Sequence, residues 1–512
     1  MVAQDPRPAR KAAAIIFSVA VSLYAAFALR EIQFATPHLV SRDGYYHTRY
    51  ANLLPHRGLT RDFPWMQHSF WKDHFSDKEF LFHVWLAPFC TDEKTMVPRA
   101  KFAAWLLAGA VLLAFARALK WTGVRWPVLW AFVLLSSGNH FLYRLSAVRA
   151  HVLSILIFIA GTALLLKGRW RWLAAAGFLY SWSYAAPHLL IAIAFAHSVA
   201  LAAFDRRLEW RGIAAATAGV AAGLVFHPYS PNSLHLWYVQ NVVVLKAAWG
   251  VGGDLGLHLG DEFDSILPRS LVMASTAVFA SLLVGNVLSI LAARDRRLTS
   301  RTSALLVIAW ACFTLYCLSA RFIEYLAPAC IWLLASAATD FLDPEWVAEF
   351  RKRRPAAFGL AAAGLVAALG VLHWRSMNAT VDEVKHMRGA VMADASRWTR
   401  ANVPPGKNIV HLNWGDFVQL FHFDPDHRYI NGLDPAFMYV KDERRVRYLE
   451  DVRTGRYPIV AHELAEMFDS KTLIVSKEYP RQVAMCENAM LEVLYEDERA
   501  VVYSIAAPGF GD

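Results

Sequence analysis

Apolar runs of membrane-spanning length recur along most of the chain, separated by short polar connectors. A spanning helix needs about 20 mainly apolar residues. Runs of that kind begin near Ala12, Ala100, Trp126, Ala150, Trp172, His188, Gly212, Leu271, Ser303, Ile323 and Ala357. The pattern predicts a polytopic α-helical membrane protein of about eleven spans. Two long polar stretches interrupt it: Glu31 to Phe82, within an external loop 31–99, and His227 to Ser270, the loop 227–270. Past residue 373 the pattern changes. Short β-like runs at Asn408–Leu412, Thr472–Val475, Leu491–Tyr495 and Val501–Ile505 alternate with helical stretches such as Thr380–Thr399. That alternation predicts a small α/β domain. The chain thus divides into a transmembrane domain, 1–373, and a soluble domain, 374–512.

The charges orient this layout. The net charge is +10, which in a soluble chain would point to nucleic acid. Here 56% of the 512 residues are hydrophobic, against about 45–50% in soluble domains. The Lys and Arg gather in alternate connectors, so they encode topology and a nucleic-acid partner is not expected. The basic set holds Lys120 and Arg125; Lys167, Arg169 and Arg171; Arg206, Arg207 and Arg211; Arg294 to Arg301; and Arg351 to Arg354. The connectors between them face the opposite, external side. An odd number of spans puts 374–512 there as well. Arg7, Arg10 and Lys11 before the first run fit an uncleaved anchor. The five cysteines are too few for a disulfide framework. Cys312, Cys317 and Cys330 read as small core residues, and a Cys90–Cys486 pair is not expected.

Four external features carry candidate chemistry. The first loop holds Asp43 among Tyr45, Tyr46, His47 and Arg49, a set of donors and stacking faces suited to sugar and phosphate. A lone loop Asp also serves as a helix cap, and both accounts stand at this point. Arg144 and Arg149, with His151, sit between two spans on the side where Arg is rare; they either snorkel into headgroups or bind an anion. The loop 227–270 carries Asp261, Glu262 and Asp264 after several glycines. They form either a solvated turn or a mobile, functional one. Arg321 joins two spans with almost no polar spacer, three residues before Glu324. An Arg at membrane depth usually faces a polar cavity. It serves either as a phosphate ligand or as the partner of Glu324.

Asp43-Gly44-Tyr45-Tyr46-His47-Thr48-Arg49 resembles the first-loop Asp-Pro-Tyr-Tyr-His-x-Arg pattern of oligosaccharyltransferase catalytic subunits, within the GT-C glycosyltransferases. Asn413-Trp414-Gly415-Asp416-Phe417 partly resembles that family's Trp-Trp-Asp-Tyr-Gly motif, with Gly and Asp exchanged. The resemblance implies an enzyme: an inverting glycosyltransferase that takes a sugar or oligosaccharide from a polyprenyl-(pyro)phosphate donor. The alternatives are transfer of one sugar to a protein hydroxyl or envelope glycan, and, from another class, a non-catalytic glycan-binding protein or a transporter. It implies Asp43 and Glu262 as catalytic residues; Arg321, Arg144 and Arg149 as donor-phosphate ligands; and Tyr45, Tyr46, His47, Arg49, Trp414 and Asp416 on the acceptor side. The expected partners are the lipid-linked donor, a protein or glycan acceptor, and membrane lipid. The setting implied is a bacterial inner membrane, with the active site and C-terminal domain on the periplasmic side. The family's second-loop acidic pair is missing, since His151 and Leu153 stand in its place. A divalent metal, Mg or Mn, would then draw on Asp43, His151 and Glu262.

Overall fold

The computed structural model describes residues 7–248, 257 and 273–506. A helix starts within a few residues of each of the eleven expected span starts. Among the described residues, six helices are long and apolar enough to cross a membrane: Ala14–Gln33, Met96–Trp121, Thr276–Arg294, Ser300–Leu318, Ala320–Phe341 and Pro355–Lys385. Asn139–Ser146 and His151–Leu166, bent by 108° at their junction, raise the number to seven if taken as one broken span. Leu189–Asp205 and Arg211–Val225 are apolar but shorter.

Eight helices position the candidate site. They are α1 (Arg7–Gln33), α2 (Gly44–Arg57), α3 (Phe80–Leu86), α4 (Asn139–Ser146), α5 (His151–Leu166), α6 (Ile323–Phe341), α7 (Pro355–Lys385) and α8 (Phe417–Phe423). The run expected from Trp126 stops early, as a helix over Pro127–Leu135. Gly138, which leads into α4, stands at φ 130°, where an added Cβ would lie 2.2 Å from the Ala274 carbonyl oxygen. Only glycine fits so close an approach. Helix α6 is the buried centre of the bundle, while the outward residues Leu360, Leu365, Val366 and Val371 of α7 are exposed. An apolar helix of that kind meets lipid in a membrane. Helix α7 also runs unbroken across the expected boundary at 373 and ends at Lys385. The stretch expected to be helical over Thr380–Thr399 is interrupted, and a new helix covers Ala393–Asn402.

Beyond α7 the chain forms a five-stranded sheet in the order β2-β1-β3-β5-β4, with β1 (Asn408–His411), β2 (Arg428–Tyr429), β3 (Ser470–Ser476), β4 (Glu492–Glu496) and β5 (Ala500–Ser504). Strand β1 runs parallel to β2 and β3, whereas β5 runs antiparallel to both β3 and β4. Leu473, Ile474 and Val475 of β3 are buried, the continuous apolar run of a central strand covered on both faces.

This sheet does not stand apart from the first loop. Tyr46, Tyr50, Phe63 and Phe75 share one core with Ile409, Phe417 and Phe421. Met66 bridges Tyr429 of edge strand β2, and the Gln67 amide donates to the Tyr429 carbonyl at 2.9 Å. The loop thereby covers a sheet edge that would otherwise be open. Cys90, Cys312, Cys317, Cys330 and Cys486 are all free thiols. Cys317 is exposed on the bundle surface, which corrects its reading as a core residue.

Candidate active site

Asp43 stands at the start of α2 but makes no capping hydrogen bond. Its carboxylate takes Arg149 at 2.8 Å instead. The cap account fails on this geometry, because a capping side chain would accept from the first-turn amides. Asp43 keeps 40% of its side-chain surface exposed, and the positive end of α2 favours a negative charge there.

The second loop reaches Asp43 because the helix breaks. Between α4 and α5 the chain is extended at Ala147. The Val148 amide donates to the Val40 carbonyl at 3.2 Å. Gly44 makes this approach possible, since a Cβ on it would meet Val148 Cβ at 3.2 Å. His151 holds the bend: its Nε2–H donates to the Arg144 carbonyl at 2.7 Å, and its Nδ1 faces Glu324 at 3.9 Å.

Glu324, in the first turn of α6, ion-pairs with Arg144. Both are buried, so each holds the other's charge at membrane depth. This corrects the expected Arg321–Glu324 alternative, and it binds the guanidinium of Arg144 that was expected to be a phosphate ligand. Arg321 donates to the Tyr184 hydroxyl at 2.9 Å. Arg321, Arg144 and Arg149 all lie within electrostatic reach of both Tyr184 and His151. The fields of the three expected phosphate cations thus overlap at Tyr184 and His151. Tyr184 also lines a cavity with Ser76, Lys78, Ser181, His227 and Trp237.

The expected acceptor residues of the first loop are placed otherwise. Tyr45, Tyr46, His47 and Arg49 are all buried. Tyr45 packs edge-on against His422 at 5.0 Å, and the His422 Nδ1–H donates to its carbonyl at 3.0 Å. Tyr46 lies in the aromatic core. Arg49 pairs with Glu93 and donates through Nε to the His422 carbonyl at 2.8 Å. Facing inward on α2, Tyr45, Tyr46 and Arg49 fasten the loop to α8 while His47 meets His83 of α3, and none of the four is open to an acceptor. Burial next to Arg49 pushes His422 down to about 3, so it is neutral.

Trp414 and Asp416 form a 3₁₀ turn leading into α8. Trp414 is half-buried and Asp416 is buried. Burial pushes the Asp416 carboxyl up to about 7, against the opposing pull of Arg42 and of the Asn413 hydrogen bond. Arg42, next to Asp43 in sequence, donates to both carboxylate oxygens of Glu478 at 2.7 Å. This clamp ties the Asp43 loop to the C-terminal unit beside Asp416. Glu262, with Asp261 and Asp264, lies outside the described residues.

A metal at Asp43 does not fit the described residues. Arg149 occupies Asp43, His151 uses Nε2 to lock the bend, and Leu153 offers no ligand. Among the described residues, the histidine–carboxylate group close enough for a metal is His47, Glu79 and His83. The last two, with Asp77, escaped the sequence reading. Their signal was there, in two acids and a His within seven residues of an aromatic loop.

No sequence-family profile matches the chain, and no curated protein does. Its fold is similar to several solved structures. The apo oligosaccharyltransferase of Archaeoglobus fulgidus superposes with a TM-score of 0.65 at 13% identity, over 92% of this chain and 71% of its own. ArnT from Cupriavidus metallidurans, bound to undecaprenyl phosphate, does so with 0.61 at 16% identity, over 96% of this chain and 98% of its own. The mycobacterial arabinofuranosyltransferase AftD reaches 0.54 at 14% identity, over 99% of this chain and 40% of its own. The chain therefore shares the fold of these solved structures, and with its long apolar helices it is an integral membrane protein.

Proposed function

We propose that this chain is an inverting glycosyltransferase that moves a sugar or oligosaccharide from a polyprenyl-linked phosphate or pyrophosphate donor to an acceptor at the external membrane face. The observation that carries the reading is the Asp43–Arg149 pair, whose Arg149 acts electrostatically, together with Arg321, on Tyr184. Arg149 touches the one solvent-accessible carboxylate of the first-loop motif and stands among the expected phosphate ligands. A lipid phosphate entering between the spans draws on Arg149 and Arg321, whose planar forks suit phosphate oxygens. As Arg149 turns to the phosphate, Asp43 is released to receive the acceptor proton. The acceptor atom then bonds to the sugar's anomeric carbon, the carbon–oxygen bond to phosphate breaks, and configuration inverts. The leaving phosphate keeps the electron pair, and the cations stabilise that charge. Arg144 stays paired with Glu324 and shapes the pocket. No step passes through a metal.

The similar fold of ArnT bound to undecaprenyl phosphate supports a lipid-phosphate donor. So does the archaeal oligosaccharyltransferase solved with an inhibitory peptide and dolichol-phosphate. The acceptor divides two readings. Oligosaccharide transfer to protein follows the first-loop resemblance. Transfer of one sugar to a protein hydroxyl or an envelope glycan is favoured by the missing second-loop acidic pair. In either case the two-unit division near 373, the eleven spans and the periplasmic orientation of a bacterial inner-membrane protein belong to this proposal.

The test is donor capture. Arg321→Ala is expected to weaken use of a polyprenyl-phosphate sugar about 10–100-fold, the range for a hydrogen bond to a charged group. The protein should still extract and fold as wild type. Arg321→Lys should restore part of the loss. Normal donor use by the Ala variant removes Arg321 from the phosphate site.

A further inference from the structure

A second constellation lies in the first loop, deeper than the Asp43–Arg149 pair. Helix α2 supplies His47 and α3 supplies His83, whose Nδ1 and Nε2 stand 2.9 Å apart. Glu79, just before α3, places Oε2 3.8 Å from the same His47 nitrogen. The three groups can bring their ligand atoms within 4.8 Å of one another. Around them stand the rings of Phe82, 5.2 Å from His47, and Tyr50, 4.8 Å from His83. Asp77, fully buried, sets its carboxylate oxygens 2.8 and 2.9 Å from the other nitrogen of His83.

The chemistry of this set is specific. Asp77 accepts the Nδ1–H of His83, so the Nε2 lone pair points toward His47 and Glu79. A carboxylate behind an imidazole is the support that metal-ligating histidines use. Glu79 lies beyond hydrogen-bond range of the His47 nitrogen. Bonds of about 2.0–2.1 Å at a tetrahedral angle separate two ligands by about 3.3 Å. The observed 2.9 and 3.8 Å straddle that spacing, and with all three ligand atoms within 4.8 Å of one another, side-chain shifts of up to about 1.5 Å close the site.

We propose that His47, Glu79 and His83 form a divalent-metal site of the zinc class, with Asp77 holding His83 in register. Two imidazoles and one carboxylate form a donor set that zinc takes, whereas magnesium and calcium favour oxygen alone. Water completes the fourth position. The ion pins α2 to α3 and so fixes the helix that begins beside Asp43. This site is separate from the Asp43, His151 and Glu262 set, and it does not depend on the transferase reading.

The test uses the full chain purified in detergent without chelator. Elemental analysis should find about one zinc-class ion per chain. After chelation, added Co²⁺ should give the visible bands of a tetrahedral site. His83→Gln and Glu79→Gln should lower bound metal at least tenfold. Asp77→Asn, which leaves all three ligands in place, should weaken affinity about 10–100-fold. Asp43→Asn and His151→Gln should keep the ion. Absence of the Co²⁺ bands in chelated wild type overturns the proposal, whether or not any variant folds. So does unchanged metal in both the His83 and Glu79 variants, or loss confined to the Asp43 and His151 variants.

Discussion

Asp416 shows how burial decides what a single charged residue does. Its carboxyl ordinarily titrates at 3.8 and is pushed up to about 7. Between those values the folded protein holds a proton that the unfolded chain has released. Stability contributed at this position therefore falls as pH rises through the window, and the penalty is complete above about 7. Asp416→Asn removes that dependence. The melting temperature of the Asn variant should gain on wild type from pH 5 to about pH 7 and then level off, as read by thermal unfolding at each pH. His422 and His411, pushed down by burial to about 3 and about 4, act in the opposite direction as pH falls. Both are present in the two proteins and cancel in the difference. A gap that does not change with pH would contradict the assignment. At this scale the sequence made Asp43, Arg149 and Arg321 legible because a charge in an unusual setting stands out. It did not show which partner each takes. Glu324 goes to Arg144 and not to its near neighbour Arg321, because the break between α4 and α5 decides which side chain reaches it. A resemblance identified Tyr45, Tyr46, His47 and Arg49 but could not say that their face of α2 turns inward.

Helix α8 is the element on which α2 docks. Phe421 meets Trp65 at 4.9 Å and Phe63 at 5.5 Å, and it stacks on Phe417 at 5.4 Å. It is fully buried. Phe421→Ala should cost about 3–5 kcal/mol through lost burial and the cavity left behind. Denaturant unfolding of the detergent-solubilised protein would measure this. A loss under about 1 kcal/mol would mean that the loop and the C-terminal unit do not share a core. The strands were legible wherever an apolar run was long enough, as in β3 and β5. Strand β2, with only Arg428 and Tyr429, carries no periodicity and was not foreseen. The helix across 373 was missed as a continuous element because its apolar run gives way to polar residues while the backbone continues.

At the scale of the molecule, hydropathy and alternating arginine clusters made the polytopic helical plan readable, and the fold shared with the solved membrane structures agrees with it. The joining of the first loop to the C-terminal sheet was not readable, since residues more than three hundred positions apart build that core. The joining has a topological consequence. A reporter active only in the cytoplasm, fused after Asp512, should stay silent, because the Asp43 loop and the sheet occupy one side. Activity from that fusion would reverse the orientation. The claim at the centre is transfer of a sugar from a lipid-linked donor under the action of Asp43. Its direct measurement is movement of label from a polyprenyl-phosphate sugar to endogenous acceptor in membranes carrying this chain, compared with Asp43→Asn at saturating donor. The account predicts transfer by wild type and a fall of about 10²–10⁴-fold in the Asn variant, the usual range for losing a general base. The variant should extract and bind donor normally. Near-normal transfer by the Asn variant, or no transfer by wild type when donor is bound, would contradict the account.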